Sequence, residues 1–292
     1  MLRRARAITV RSVSLACASV AVILGCDASE APRANQHSDV DVRIASFSPA
    51  MTATLVDLGF EHAIAGRSPW CTDVSKALPV VGDFREFDAE RILLVRPTHI
   101  VLQPPLSGLD AALTTLATEQ GITLVPIRID RMKDVRSFVA EIAKLNMHTE
   151  RVQSRLASLD AMPSISADDP RVLLLVNAEP MLVAGAQTYL SDLLPIIHLQ
   201  NAMGREGWIE SSHEALGLLE PDLLLGIAEH EDNLATLRRS LEAVPCRAAR
   251  DRRIVVVVAG ELLRPSTRAL DAIKALEPEI ARVLAVETGA KP

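Results

Sequence analysis

The residues of this chain best suited to molecular recognition come in pairs separated by 124 positions. Phe84 pairs with Trp208, Asp88 with Ser212, Glu90 with Glu214, and Pro97 with Pro221. Each type has a physical use. Phe and Trp offer flat apolar faces. Asp and Ser cap helix N-termini, Glu in a first turn suits the helix dipole, and proline stops a helix. Each copy therefore reads as a loop carrying an aromatic, a short capped helix, a proline break and a buried strand. The strands are His99-Ile100-Val101-Leu102 in one copy and Leu223-Leu224-Leu225 in the other. A unit that occurs once in each half implies two similar lobes. Two lobes make a cleft, and each would present one aromatic to it, which is binding chemistry.

Composition narrows the possibilities. Hydrophobic residues make up 49% of 292 and aromatics only 3%, so Leu, Ile, Val and Ala can build the core and leave aromatics for other work. Phe84, Phe87, Trp208 and Trp70 all fall at or near the repeated loops. The formal net charge is −6; residues 1–25 carry four arginines and no acid, which leaves −10 on the rest. Nucleic-acid binding calls for a basic face, so no nucleic-acid partner is expected.

Residues 1–25 read as a targeting segment. Arg3, Arg4, Arg6 and Arg11 precede an apolar run from Ser12 to Leu24, too short to span a bilayer as a mature helix. The run ends in Ile23-Leu24-Gly25-Cys26, which resembles a bacterial lipobox. That resemblance implies lipidation of Cys26, and acyl chains would anchor the rest to a membrane. Asp27 resembles the signal for retention in the inner membrane. Residues 26–42 are expected to be a flexible tether. Cys71 and Cys246 fall in different halves and are expected to be separate thiols.

Strands and helices then alternate, which predicts parallel α/β lobes: an N-terminal lobe over 43–130 and a C-terminal lobe over 164–292. Between them Met132, Val135, Phe138, Val139, Ile142, Leu145, Val152, Leu156 and Leu159 fall on one helical face. With no internal Gly or Pro, they predict one long connecting helix over 131–163. The fold class expected is α/β, with two Rossmann-like lobes joined by one long backbone helix and a ligand cleft between the lobes.

This arrangement resembles the helical-backbone, or class III, substrate-binding proteins of ABC importers. The likeness is clearest in Arg43-Ile44-Ala45-Ser46-Phe47-Ser48-Pro49-Ala50, in residues 84–102, in residues 207–225 and in Arg264-Pro265-Ser266-Thr267-Arg268. These look most like the vitamin B12 and ferric-siderophore branch. The resemblance implies a lipid-anchored monomeric receptor in the periplasm, held at the inner membrane. It would bind a corrinoid or ferric-siderophore chelate and deliver it to a permease and, through it, an ATPase. It implies that Phe84 and Trp208 line the ligand site, with Trp70, Arg264 and Arg85 beside it. It implies that Glu90 and Glu214 dock onto permease arginines, one per lobe. Relatives often carry Trp where this chain has Phe84. Arg67 and Arg205 also fall in loops near the expected cleft and could pair with an anionic ligand.

No nucleotide-binding glycine motif and no nucleophile elbow occurs, and the seven histidines show no H-x-x-x-H or H-E-x-x-H spacing. No catalytic residue, resident cofactor or metal ligand is assigned. The alternatives are an α/β enzyme, transferase-like, with its site in the cleft, and a receptor for heme or bare metal.

Overall fold

The computed structural model describes residues 41–145 and 149–285. Cys26, the targeting segment and nearly all of the tether lie outside the described residues. The described residues pack as one unit.

The first half contains β1 (Ile44–Ser46), α1 (Pro49–Asp57), β2 (Ile64–Arg67), α2 (Ala89–Val95), β3 (His99–Leu102), α3 (Ala111–Gln120) and β4 (Thr123–Pro126). Its sheet runs β2-β1-β3-β4 and is parallel throughout. Local chemistry sets the boundaries. Ser48 caps α1 by accepting from the Met51 N–H, with Pro49 in the first turn. Asp110 caps α3 through the N–H groups of Ala112 and Leu113, and Gly121 ends it in a left-handed turn.

Next come α4 (Met132–Ala143) and α5 (Glu150–Asp160). Here the expectation of one long helix fails. The Arg136 guanidinium donates to the Asp160 carboxylate, so the chain has folded back and the two helices form an antiparallel pair. Thr149 caps α5 by accepting from the Val152 N–H. The apolar face is real, but it is shared between two short helices: Met132, Val135, Phe138, Val139, Ile142, Val152 and Leu159 are all buried.

The second half contains β5 (Arg171–Ala178), β6 (Met181–Ala184), α6 (Tyr189–Leu193), β7 (Gln200–Asn201), β8 (Trp208–Glu210), α7 (His213–Gly217), β9 (Leu223–Ala228), α8 (Leu234–Glu242), α9 (Arg247–Arg250), β10 (Ile254–Val258), α10 (Ala269–Lys274) and α11 (Glu277–Ala285). The sheet order is β10-β9-β5-β6-β8, with β7 also paired to β5. This sheet is mixed, not parallel as expected, because β6 runs antiparallel to both β5 and β8. The helical stretch at the end of the second half is divided into α10 and α11.

The repeat at 124 residues survives in atomic detail. Asp88 accepts from the Arg91 N–H at 2.9 Å, and Ser212 from the Ala215 N–H at 3.3 Å. Ile92 and Leu216 are fully buried. Arg96 and Glu220 both adopt the left-handed conformation, φ 47° and 42°, directly before the prolines. The Thr98 N–H bonds to the Arg43 carbonyl and the Asp222 N–H to the Arg171 carbonyl, both at 2.8 Å. Each copy is thus moored to the first strand of its own sheet.

One hydrophobic core runs from Ile44, Met51 and Leu55 through Phe138 and Val139 to Leu174, Leu190 and Leu270. Separate cores fill the outer faces of the two sheets. Polar staples reinforce the shared core. Arg155 holds Asp57 at 2.8 and 2.9 Å and Asp271 at 2.5 Å. Arg131 pairs with Asp192, whose carboxylate also accepts from the Met132 N–H at 2.9 Å. Cys71 and Cys246 are separate buried thiols.

Candidate functional site

In a parallel sheet every strand ends on the same side, and ligands of open α/β sheets bind beyond those carboxyl ends. The residues after β1 and β2 and at the end of β3 include Phe47, the loop from Ser68 to Cys71, and Leu102. Here lies a hollow of about 230 Å³ lined by Phe47, Phe84, Phe87, Leu102 and Leu113. Above it, Asp83 organises a loop. The Trp70 indole donates to its carboxylate at 3.2 Å. The N–H groups of Arg85 and Glu86 donate to it at 2.8 and 3.2 Å. Burial pushes the Asp83 carboxyl up, but those donors and the nearby Arg85 charge outweigh burial and hold it below the usual carboxylate range. Gly82 is required in this turn: φ is +152°, and a Cβ would sit 2.8 Å from the Glu86 carbonyl oxygen.

Phe84 and Trp70 are therefore held open to solvent, at 52% and 66% exposure. The Arg85 guanidinium lies 5.1 Å from the Phe84 ring centroid, a cation–π geometry. The Trp70 loop is braced from beneath. Ser46, Thr52, Cys71 and Ser68 form a buried chain of hydroxyls and thiol, with links of 2.8, 3.0 and 3.1 Å. Arg67, expected near the ligand, is instead buried and donates to the Ser68 and Lys76 carbonyls. It supports the loop.

In the second lobe Trp208 sits on the edge strand β8, where the sequence predicts a loop. Its ring is 5.8 Å from that of Tyr189, and it remains 43% exposed. Tyr189 is buried and donates to the Leu262 carbonyl at 3.0 Å; burial drives its phenol well above the usual range. Gly185 permits the loop before Trp208 to approach, since a Cβ there would fall 2.1 Å from the Arg205 carbonyl oxygen. A second hollow, of about 280 Å³, lies at the carboxyl ends of β5 and β9, lined by Asn177, Glu179, Glu229, Asn233 and Leu263 among others.

Arg264 reaches across the halves. It donates to Thr72 at 3.2 Å and to Asp73 at 2.9 Å, and Arg268 donates to the same carboxylate at 2.6 Å. Expected beside the ligand, Arg264 is held by a carboxylate three residues beyond Trp70. Trp70, Phe84 and Arg85 thus form one cluster around Asp83, and Arg264 adjoins the same loop. No hydrogen bond or ring contact among the described residues links Trp208 to that cluster.

Sequence reasoning missed Asp83, Asp73 and Tyr189. The first two are ordinary loop acids whose partners are set by tertiary structure. Tyr189 had a signal, because the chain's only tyrosine directly follows the Thr188 cap.

Glu90 and Glu214 are exposed in the first turns of α2 and α7. Glu90 also borders a hollow of about 610 Å³ with Pro69, Asp83 and Phe87. The backbone N–H of Glu214 and the Ser212 hydroxyl hold the Glu214 carboxyl below its usual value. Among the described residues no group of three or more His, Cys, Asp or Glu is placed to hold a metal ion, and no helix is long and apolar enough to cross a membrane.

No curated protein sequence matches the chain significantly. Solved structures do. The periplasmic heme-binding protein BhuT, in complex with two hemes, shares 25% identity at a TM-score of 0.64, covering 83% of this chain and 99% of that one. RhuT, a periplasmic heme-binding protein from Roseiflexus sp. RS-1, matches at 21% identity and TM-score 0.64 over 83% and 99%. BtuF, the periplasmic vitamin B12 binding protein of Vibrio cholerae, matches at 16% and 0.60 over 82% and 97%; at these lower identities the likeness is one of fold. The periplasmic binding protein family model matches residues 44–256. With all of the first sheet, nearly all of the second, both aromatic edges and the repeated capped helices inside that span, the chain belongs to the periplasmic binding protein family.

Proposed function

We propose that this chain is the receptor of an ABC importer and binds a planar metal macrocycle, a corrinoid or heme, as cargo. The observation that carries this reading is the set of large aromatics left exposed at the loop edges of both lobes. Trp70 and Phe84 stand on one and Trp208 on the other, in a protein with only eight aromatic residues. Exposed aromatic faces lose water gladly to a flat apolar ring. Arg85, over Phe84, and Arg205, exposed in the loop before Trp208, supply cations for the acidic side groups of such a ligand. Structural neighbours that bind heme or vitamin B12 support the same class of cargo.

On this reading the protein's own residues grip and orient the ring, and Asp83 keeps Trp70 and the Phe84 loop in place before the ligand arrives. Glu90 and Glu214 dock onto permease cations, one from each lobe, and lipidated Cys26 holds the receptor at the inner membrane. A thermal-shift screen with heme, cyanocobalamin and a ferric siderophore tests the cargo. A ligand at about 100 times its Kd adds about 2.7 kcal/mol to stability. For a chain of this size that is a rise in Tm of about 5–11 °C. A rise with heme or cobalamin alone is expected. A rise with the siderophore alone would overturn the macrocycle, and no rise with any of the three would overturn the reading altogether.

A further inference from the structure

A hydroxyl has one proton to give, and that settles the direction of the buried chain beneath the Trp70 loop. The Ser46 hydroxyl spends its proton on the Ser48 carbonyl at 3.3 Å, so the Thr52 hydroxyl must donate to Ser46, at 2.8 Å. Thr52 then has no proton left for Cys71, and the thiol must donate to the Thr52 oxygen at 3.0 Å. With the thiol proton spent, the Ser68 hydroxyl must donate to the sulfur at 3.1 Å. The Ser68 oxygen in turn accepts the Trp70 backbone N–H at 3.3 Å. The chain therefore runs one way, from the Trp70 backbone through Ser68, Cys71, Thr52 and Ser46 to the Ser48 carbonyl at the start of α1. All four of these linking side chains are buried. Aligned bonds in such surroundings polarise one another, and a missing link leaves a buried group unpaired.

The far end is anchored too. Ser48 Oγ accepts from the Gln103 amide at 2.7 Å, and the Gln103 carbonyl accepts from the Ile129 N–H at 3.3 Å. α1 itself joins the other half of the molecule. The Thr54 hydroxyl donates back to the Ala50 carbonyl, and its oxygen accepts the Thr267 N–H at 3.4 Å. The Thr267 hydroxyl donates to the Asp57 carboxylate at 2.5 Å. Successive helical residues turn by about 100°, so Thr52 and Thr54 stand about 200° apart, on opposite sides of α1. One side of the helix holds the Trp70 loop and the other holds the second half.

We propose that Thr52, Cys71 and Ser68 are positioning residues for cargo binding. Their one-way chain ties the Trp70 backbone to α1, and through α1 to the half that carries Trp208, so Trp70 keeps its place before cargo arrives. The three side chains touch no cargo themselves. Their role rests on the reading of Trp70 as a cargo contact and adds to it what holds the tryptophan still. A loop ordered in advance has less freedom to lose on binding.

The test uses the protein purified without lipid through Cys26→Ser. In Trp208→Phe the tryptophan left is Trp70, and time-resolved fluorescence anisotropy without ligand reports how freely it moves. Adding Thr52→Val or Cys71→Ala should give Trp70 a fast nanosecond decay that the parent lacks. Thr52→Ser, which keeps the hydroxyl, should not. In Trp70→Phe, where Trp208 is the emitter, none of the three should change the decay. With both tryptophans present, Thr52→Val and Cys71→Ala should weaken binding of hemin or cyanocobalamin about ten-fold, and Thr52→Ser should restore it. If Thr52→Val does not fold, Ser68→Ala cuts the same chain within the loop.

An unaltered Trp70 decay in the chain-breaking variants would overturn the proposal. So would a fast component that appears equally for Trp208, since the chain would then be ordinary core support. Both readings are made without ligand, so they decide the chain even where neither hemin nor cyanocobalamin binds. A loosened Trp70 with unchanged affinity would overturn Trp70 as a cargo contact, and with it the use proposed for the chain.

Discussion

Asp73→Asn would remove the charge on which the two halves of the molecule meet near the ligand loop. The Asp73 side chain is 7% exposed and takes two guanidinium groups, Arg264 at 2.9 Å and Arg268 at 2.6 Å. Without it, the carboxylate left to both arginines is Glu261, at 3.5 and 3.4 Å, and Arg264 keeps the Thr72 hydroxyl at 3.2 Å. Removing one partner of a fully buried pair costs about 3–5 kcal/mol, and losing an exposed pair costs about 0–1 kcal/mol. The arginines here are 25% and 28% exposed, so water can take up part of the uncompensated charge. Asparagine also keeps one carbonyl for a guanidinium. The expected loss is about 2 kcal/mol, or about 4–8 °C in Tm for a chain of this size. Thermal denaturation followed by circular dichroism reads it directly. Arg282→Ala is the control, because its pair with Glu279 is 67% and 45% exposed and its loss should leave Tm nearly unchanged. If Asp73→Asn melts with the wild type, or no lower than Arg282→Ala, the carboxylate does not join the halves and the argument fails.

Arg155→Ala should cost about 2–3 kcal/mol at neutral pH, since Asp57 and Asp271 lose their shared guanidinium. The deficit should shrink under acid: Arg155 holds the Asp271 carboxyl below 3.8, so its stabilisation is complete above that value and fades as pH falls through the lowered one, which urea titrations at several pH values would show. Gly82→Ala should push the Asp83 loop apart, lowering affinity for the bound macrocycle in calorimetry while the second lobe's hydrogen-exchange protection is retained. Glu90→Lys with Glu214→Lys should abolish cargo uptake by cells through like-charge repulsion and leave calorimetric affinity within a few-fold of wild type.

What could be read in advance was what local rules govern. The caps at Asp88, Ser212 and Ser48 and the proline breaks at Pro97 and Pro221 act within a few residues, and they appear where residue types put them. The left-handed Arg96 and Glu220 were not legible in this way, because the residue before a proline is steered towards extended backbone. The fold-back between α4 and α5 was missed because an amphipathic stripe records which side faces the core and not whether the chain reverses. Thr149 followed by Glu150, an N-cap with an acid in the first turn, was the available sign of a new helix. β6 escaped for another reason. Met181 and Val183 point inward only because β5 and β8 lie beside them, and four residues cannot announce that pairing. At the site, exposed aromatics were visible as types, but their supports were not. Asp73 meets Arg264 across 191 positions, and burial of Arg67 depends on a loop that curls back over it.

In the proposed function, aromatics from both lobes grip a flat metal macrocycle. The chain contains two tryptophans, Trp70 and Trp208, and both stand in the candidate site, so intrinsic fluorescence reports on it with no background from elsewhere. Titration of the purified protein with heme or cyanocobalamin should quench nearly all of the emission at one equivalent. Trp208→Phe and Trp70→Phe should each leave a single emitter that is still quenched. Trp208→Ala should weaken binding by about 1–3 kcal/mol, roughly five-fold to 150-fold. Saturable binding that leaves either tryptophan's emission untouched, or full affinity in Trp208→Ala, would contradict the account.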